Sequence, residues 1–186
     1  LGVLYNDDIK DTAVEGIEMI NNLRIENFKG WKDTGNIKLS PLTVFFGANS
    51  SGKSSIGQFL MLLRQSVESS DRKSVFFTGN EDTAVDLGLP SDLVFDRDWK
   101  NDIKFSYDWT LEKDLRFDDV LHEKRYTADR IAFSGNVKVV DEENQAVEVR
   151  SFDYTLYTTD NDKIEIGLKK KDVSGNSKKG YELTSR

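Results

Sequence analysis

Leu42-Thr43-Val44-Phe45-Phe46-Gly47-Ala48-Asn49-Ser50-Ser51-Gly52-Lys53-Ser54-Ser55 is the stretch on which the fold turns. It opens on a mostly apolar run of the kind buried on both faces of a sheet, punctuated by Pro41 just before it. Residues 47–54 then match the pattern G-x-x-x-x-G-K-[ST] in full. Gly47 and Gly52 permit backbone angles that let successive N–H groups converge on an anion. The segment that follows reads as a helix, with Ile56, Phe59, Leu60, Leu63 and Val67 on one apolar stripe and Ser69-Ser70-Asp71 at its end. Its amino end points a positive dipole at the loop. In this pattern the N–H groups of residues 48–54 form a phosphate cradle, and Lys53 bridges the β- and γ-phosphates of ATP. The Ser54 hydroxyl ligates Mg²⁺, and Ser55 closes the motif. A chance match arises in roughly 1% of chains of this length or fewer. The strand before the loop and the helix after it make a purely structural glycine loop the weaker reading.

Composition narrows what surrounds this loop. The 186 residues are 37% hydrophobic and 32% charged, enough for one domain with a sizeable core. No apolar run reaches membrane-spanning length, and a cytoplasmic protein is expected. There is no cysteine, which excludes disulfide scaffolds, thiolate zinc sites and cysteine nucleophiles. The single histidine, His122, leaves little room for histidine-centred chemistry; its neighbours read as a polar loop, and it is assigned no role. The net charge of −7 argues against a generally basic nucleic-acid binder. That charge is uneven, at −4 over residues 1–18 and +4 over residues 169–186. The basic stretch reads as a solvated hairpin around Ser174-Gly175-Asn176 rather than a phosphate-binding surface. Residues 1–18 lack periodicity and the features of a secretory signal, and are expected to be a leader, tag or upstream sequence before a domain over 19–186.

Ahead of the loop, Asn22 to Phe28 reads as a strand, Lys29 to Gly35 as a turn, and Asn36 to Leu39 as a second short strand. Beyond the helix the pattern is strand-rich: Val75–Phe77, Ala84–Leu87, Ile103–Leu111, Arg130–Val140, Ala146–Thr158, Ile164–Leu168 and Tyr181–Leu183. Polar turns are expected at Asp141 to Asn144 and Thr159 to Asp162. Phe105-Tyr107-Trp109, Phe152-Tyr154 and Phe76-Phe77 read as core and cross-strand pairs rather than a stacking surface for single-stranded nucleic acid. Asp96, Asp98, Asp114, Asp118 and Asp119 read as solvated loop carboxylates rather than metal ligands.

Leu23-Arg24-Ile25-Glu26-Asn27-Phe28-Lys29-Gly30-Trp31, taken with the loop, resembles the opening of ABC-class ATPases of the RecF/SMC/OLD type. The leucine-rich helix segment 59–65, Val85-Asp86-Leu87-Gly88 and Ser91-Asp92-Leu93-Val94 are similar to AAA-family ATPases related to the OLD group. The likeness is specific over residues 19–94 and only compositional beyond. It implies an α/β P-loop NTPase fold, the N-terminal lobe of an ABC-type head, with an appended antiparallel β-rich region. It further implies a head that dimerises around two ATP molecules and couples hydrolysis to a partner activity on DNA or phage components. In such relatives the first turn approaches the nucleotide, so Lys29 is a candidate for holding phosphate or ribose, with a solvated lysine as the equal alternative. Trp31 is expected to plug a hydrophobic gap.

The same resemblance implies a hydrophobic strand ending in Asp-Glu and a Ser-Gly-Gly-type signature. Asp141-Glu142 follows an interrupted run and reads as a hairpin turn; Ser134-Gly135-Asn136 and Ser174-Gly175-Asn176 lack a helix-opening context. Catalytic residues are therefore unassigned, and the expectation is a truncated lobe whose catalytic half lies beyond Arg186. The alternatives are a nucleotide-sensing interaction module without turnover, and an ATP-gated nuclease component in phage defence or DNA repair.

Overall fold

The computed structural model describes residues 2–5, 19–70, 75–119, 123–141, 146–171 and 180–185. Its framework is an antiparallel sheet of eight strands with one α-helix laid across it. Among the described residues ten strands follow in chain order: β1 (Gly2–Tyr5), β2 (Ile20–Phe28), β3 (Trp31–Asp33), β4 (Ile37–Lys38), β5 (Thr43–Phe46), β6 (Ile103–Asp119), β7 (Lys124–Asp141), β8 (Ala146–Thr158), β9 (Lys163–Lys170) and β10 (Tyr181–Ser185). The helix α1 (Lys53–Glu68) and two short 3₁₀ turns at Pro90–Leu93 and Phe95–Arg97 lie between β5 and β6. The large sheet runs β10-β9-β8-β7-β6-β2-β3, with β4 also on β2, while β5 pairs antiparallel with β1. No parallel pair occurs among the described residues.

Alternation decides which face of the sheet turns inward. In β2, Leu23 and Ile25 are buried and Arg24 is exposed, as the period of two requires. Asn27 then adopts φ 58°, a left-handed angle that asparagine tolerates better than most residues, and the shift in phase brings Phe28 to the core as well. One line of paired residues crosses the sheet on this face: Ile25, Phe105, Gly135, Phe152, Leu168 and Leu183. Helix α1 covers the β2–β6–β7 part of it through Ile56, Phe59 and Leu62.

Gly135 is the narrow point of that line. A methyl built there would sit 2.7 Å from Cε1 of Phe105, whose ring leans over the glycine and packs edge-on to Phe59 at 5.1 Å. Gly135→Ala is expected to destabilise the fold by about 1–3 kcal/mol through overpacking, read from the urea midpoint. A change below about 0.5 kcal/mol would mean that Phe105 can move aside.

Several sequence expectations are corrected here. The turn drawn over Lys29 to Gly35 is a tight Lys29-Gly30 turn followed by β3, where Phe28 pairs with Trp31 and Glu26 with Asp33. Val75–Phe77 and Ala84–Leu87 are not strands. The backbone groups of Phe77 that a strand partner would take are held by α1 instead: Gln65 Nε2 donates to its carbonyl at 2.7 Å, and its N–H donates to Ser66 Oγ at 2.9 Å. In α1, Val67 is 76% exposed, and Leu62 and Gln65, outside the expected stripe, are buried beside Ile56 and Phe59. Strand β5 is not buried on both faces, since Val44 is 45% and Phe46 51% exposed. The reason is that α1 packs on the large sheet, and β1 is the one strand paired with β5 among the described residues. Asp114, Asp118 and Asp119 lie on β6 rather than in a loop, and Asp118 pairs with Arg125 of β7 at 2.7 Å.

Other expectations match the coordinates. The loop over residues 47–52, the helix ending at Ser69, and the strands over residues 103–111, 130–140, 146–158 and 164–168 are present, β6 and β7 being longer than the pattern indicates. Phe133 meets Tyr107, Phe152 and Tyr154 at centroid distances of 4.8–5.4 Å, so these aromatics are cross-strand partners. Asp141 ends β7 and pairs with Ala146; Glu142 and the rest of the expected turn to Asn144, His122 and Ser174-Gly175-Asn176 lie outside the described residues.

Candidate phosphate-binding site

Strand β5 delivers the chain into an exposed loop, residues 47–50, and α1 begins three residues later. Within the loop the Ser51 N–H donates to the Ala48 carbonyl at 3.3 Å, and Ser50 takes φ 61°. Gly52 caps α1 at φ 83°, in the left-handed region where a side chain is strained. No side chain caps this helix end and no acidic residue lies in its first turn, so nothing in α1 itself offsets the positive end of its dipole.

Lys53, the first residue of α1, folds back over the loop. Its Nζ donates to the Gly47 carbonyl at 3.0 Å, the Ala48 carbonyl at 2.6 Å and Ser51 Oγ at 3.5 Å. The ammonium is thus held on backbone oxygens, positions that phosphate oxygens can take over without moving the charge far. Ala48, Asn49, Ser50 and Ser54 are exposed; Ser51, Lys53 and Ser55 are half-buried. The structure therefore brings residues 47–55 together as one anion-compatible loop: an uncapped helix end, one ammonium and four hydroxyls. Lys53 and the loop N–H groups could hold phosphate oxygens, and the Ser54 hydroxyl could offer a hard oxygen to a divalent cation.

The β2–β3 hairpin supports this loop; the resemblance implied that the first turn lies near it, and the structure adds the contacts. Gly30 lies against it, a methyl built there falling 3.7 Å from Gly52 Cα. The Trp31 indole N–H donates to the Gly52 carbonyl at 2.9 Å. The hairpin is anchored in turn by Lys29 N–H donating to the Leu93 carbonyl at 2.7 Å and by a bridge from Phe28 to Val94. Arg24 donates twice to Asp33, at 3.1 and 2.7 Å, across the base of the hairpin. This pairing, chiefly its hydrogen bonds, holds the Asp33 carboxyl below the usual carboxylate range and raises Arg24. Lys29 sits in the turn at φ 46° with its side chain half-buried. The resemblance placed this turn near the nucleotide, but the acceptor of the Trp31 indole, many residues downstream, is set by tertiary packing.

Asp96 and Asp98 lie elsewhere, beside a cleft of about 580 Å³ lined by Glu26, Lys32, Lys100 and Lys104 among others. Asp98 there accepts from the Asn101 amide at 2.8 Å, and its carboxylate also serves the Lys100 N–H.

Residues 19–184 match the family described as AAA ATPase domain, and the chain belongs to that family. Membership implies ATP binding. No curated protein matches the chain at a significant level. Among the described residues no helix is long and apolar enough to cross a membrane.

Proposed function

We propose that residues 47–55 bind Mg-ATP in the manner of a P-loop, as part of an ABC-class head of the RecF/SMC/OLD-like group. The observation that carries this reading is the Lys53 ammonium resting on the Gly47 and Ala48 carbonyls in front of an uncapped helix end. Residues of the loop that fit the nucleotide are Lys53 and the N–H groups of 48–54 for the phosphates, and the Ser54 hydroxyl for Mg²⁺. Bound ATP would supply a transferable γ-phosphoryl group; the chain's own part is to bind and orient it. Lys29 is proposed as a further phosphate or ribose contact, supported by the turn lying against Gly52. Turnover requires a water-polarising carboxylate, a role not proposed for Asp141, which ends a strand paired with β8. A dimer closing over two nucleotides is the proposed setting for hydrolysis, and DNA or a nuclease the proposed partner.

The test is a titration of the protein with a fluorescent ATP analogue, with and without Mg²⁺, competed by ATP, ADP and tripolyphosphate. Saturable binding, tighter with Mg²⁺ and displaced by tripolyphosphate, is the expected result. Binding that tripolyphosphate cannot displace would place recognition on the base or sugar and remove the phosphate loop from the reading.

A further inference from the structure

We infer that Trp31 is a positioning residue for the phosphate loop: its indole N–H, bonded to the Gly52 carbonyl, fixes the peptide that opens α1 and so aims the helix-end N–H groups. The inference rests on the nucleotide-binding reading above for its functional consequence, and on the Trp31–Gly52 contact for its structural one.

Three observations converge on this contact. The hydrogen bond, 2.9 Å long, reaches from β3 to the cap of α1. The ring is pressed on Gly52 so closely that a methyl there would meet Nε1 at 2.6 Å and Cε2 at 2.9 Å. Gly52 itself is held at φ 83°, so the orientation of the next peptide depends on an angle that glycine alone would not fix. An indole can donate but not accept, and the Gly52 carbonyl also accepts from Ser55 N–H at 3.1 Å. Trp31 thus stiffens the carbonyl of the same residue whose successors, Lys53 and Ser54, present their N–H groups to an anion. The hairpin behind it is tied by Lys29 to Leu93 and by Arg24 to Asp33, so the indole is anchored from both ends. This role differs from a plug, which needs only apolar contact, and from a base platform, which needs a free ring face.

Trp31→Phe keeps the aromatic body and deletes only the donor. Two readouts test the inference. Hydrogen exchange in nucleotide-free protein is expected to quicken over residues 51–56 while β2 and the last turns of α1 keep their rates. Affinity is expected to fall about three- to tenfold, the scale of one neutral hydrogen bond, and by equal factors for Mg-ATP and tripolyphosphate. Loss for Mg-ATP alone would make Trp31 a base-contacting residue and overturn the inference. So would unchanged exchange together with unchanged affinity. If the unsubstituted protein bound neither ligand, the nucleotide reading would fail, and the exchange comparison would still decide whether Trp31 holds the loop.

Discussion

Lys53→Ala is expected to weaken Mg-ATP binding by about ten- to a hundredfold, the range for losing a hydrogen bond to a charged partner. The melting transition should scarcely move. Lys53 spends its ammonium on the carbonyls of Gly47 and Ala48, both exposed, and water can replace it there. A core residue would not behave so. Isothermal titration with ATP and Mg²⁺, paired with a thermal melt, separates the two effects. Equal affinity in the two proteins would show that the loop does not carry the phosphates. A large fall in melting temperature would show instead that the lysine is structural.

Phe59→Ala is expected to have the opposite signature, a loss of about 3–5 kcal/mol in unfolding free energy. Phe59 is fully buried, and its ring stands edge-on to Phe28 at 5.1 Å and to Phe105 at 5.1 Å. It therefore joins α1 to β2 and β6 at once, and deleting it opens a cavity where three elements meet. Chemical denaturation of the variant gives the number directly. A loss under about 1.5 kcal/mol, the scale of volume-conserving swaps, would mean that neighbouring rings collapse into the space. Nucleotide affinity should also suffer at temperatures where the protein remains folded, because α1 begins at the end of the loop proposed to bind phosphate.

The sequence made the loop legible because its chemistry is local: two glycines, a lysine and a hydroxyl at fixed spacing, followed by a helix. Strands such as β2 and β8 were legible for the same reason, alternation being a property of neighbours. What escaped depended on distant partners. Val75–Phe77 has strand composition, but Gln65 and Ser66 of the helix claim the polar groups of Phe77. Strand β3 is hidden in Trp31-Lys32-Asp33, whose residues are poor strand formers apart from the tryptophan, and it exists because β2 offers an edge. The apolar run of β5 was read as doubly buried, yet Val44 and Phe46 face outward because the helix lies on another sheet. Trp31 was read as filler because nothing in its own neighbourhood names Gly52 as its acceptor.

The pairing of Ile25 with Phe105 sets an order of events in time. As the chain leaves the ribosome, β2 and the phosphate loop emerge ahead of β6, and the hairpin with β3 can close at once. The other flank of β2, and the ring on which Phe59 rests, arrive only with β6. Long-range pairing of this kind is slow compared with the closing of a local turn. The residues that read earliest as a nucleotide site thus become a finished site late, and any nascent segment ending before β6 holds the motif without the surface that shapes it.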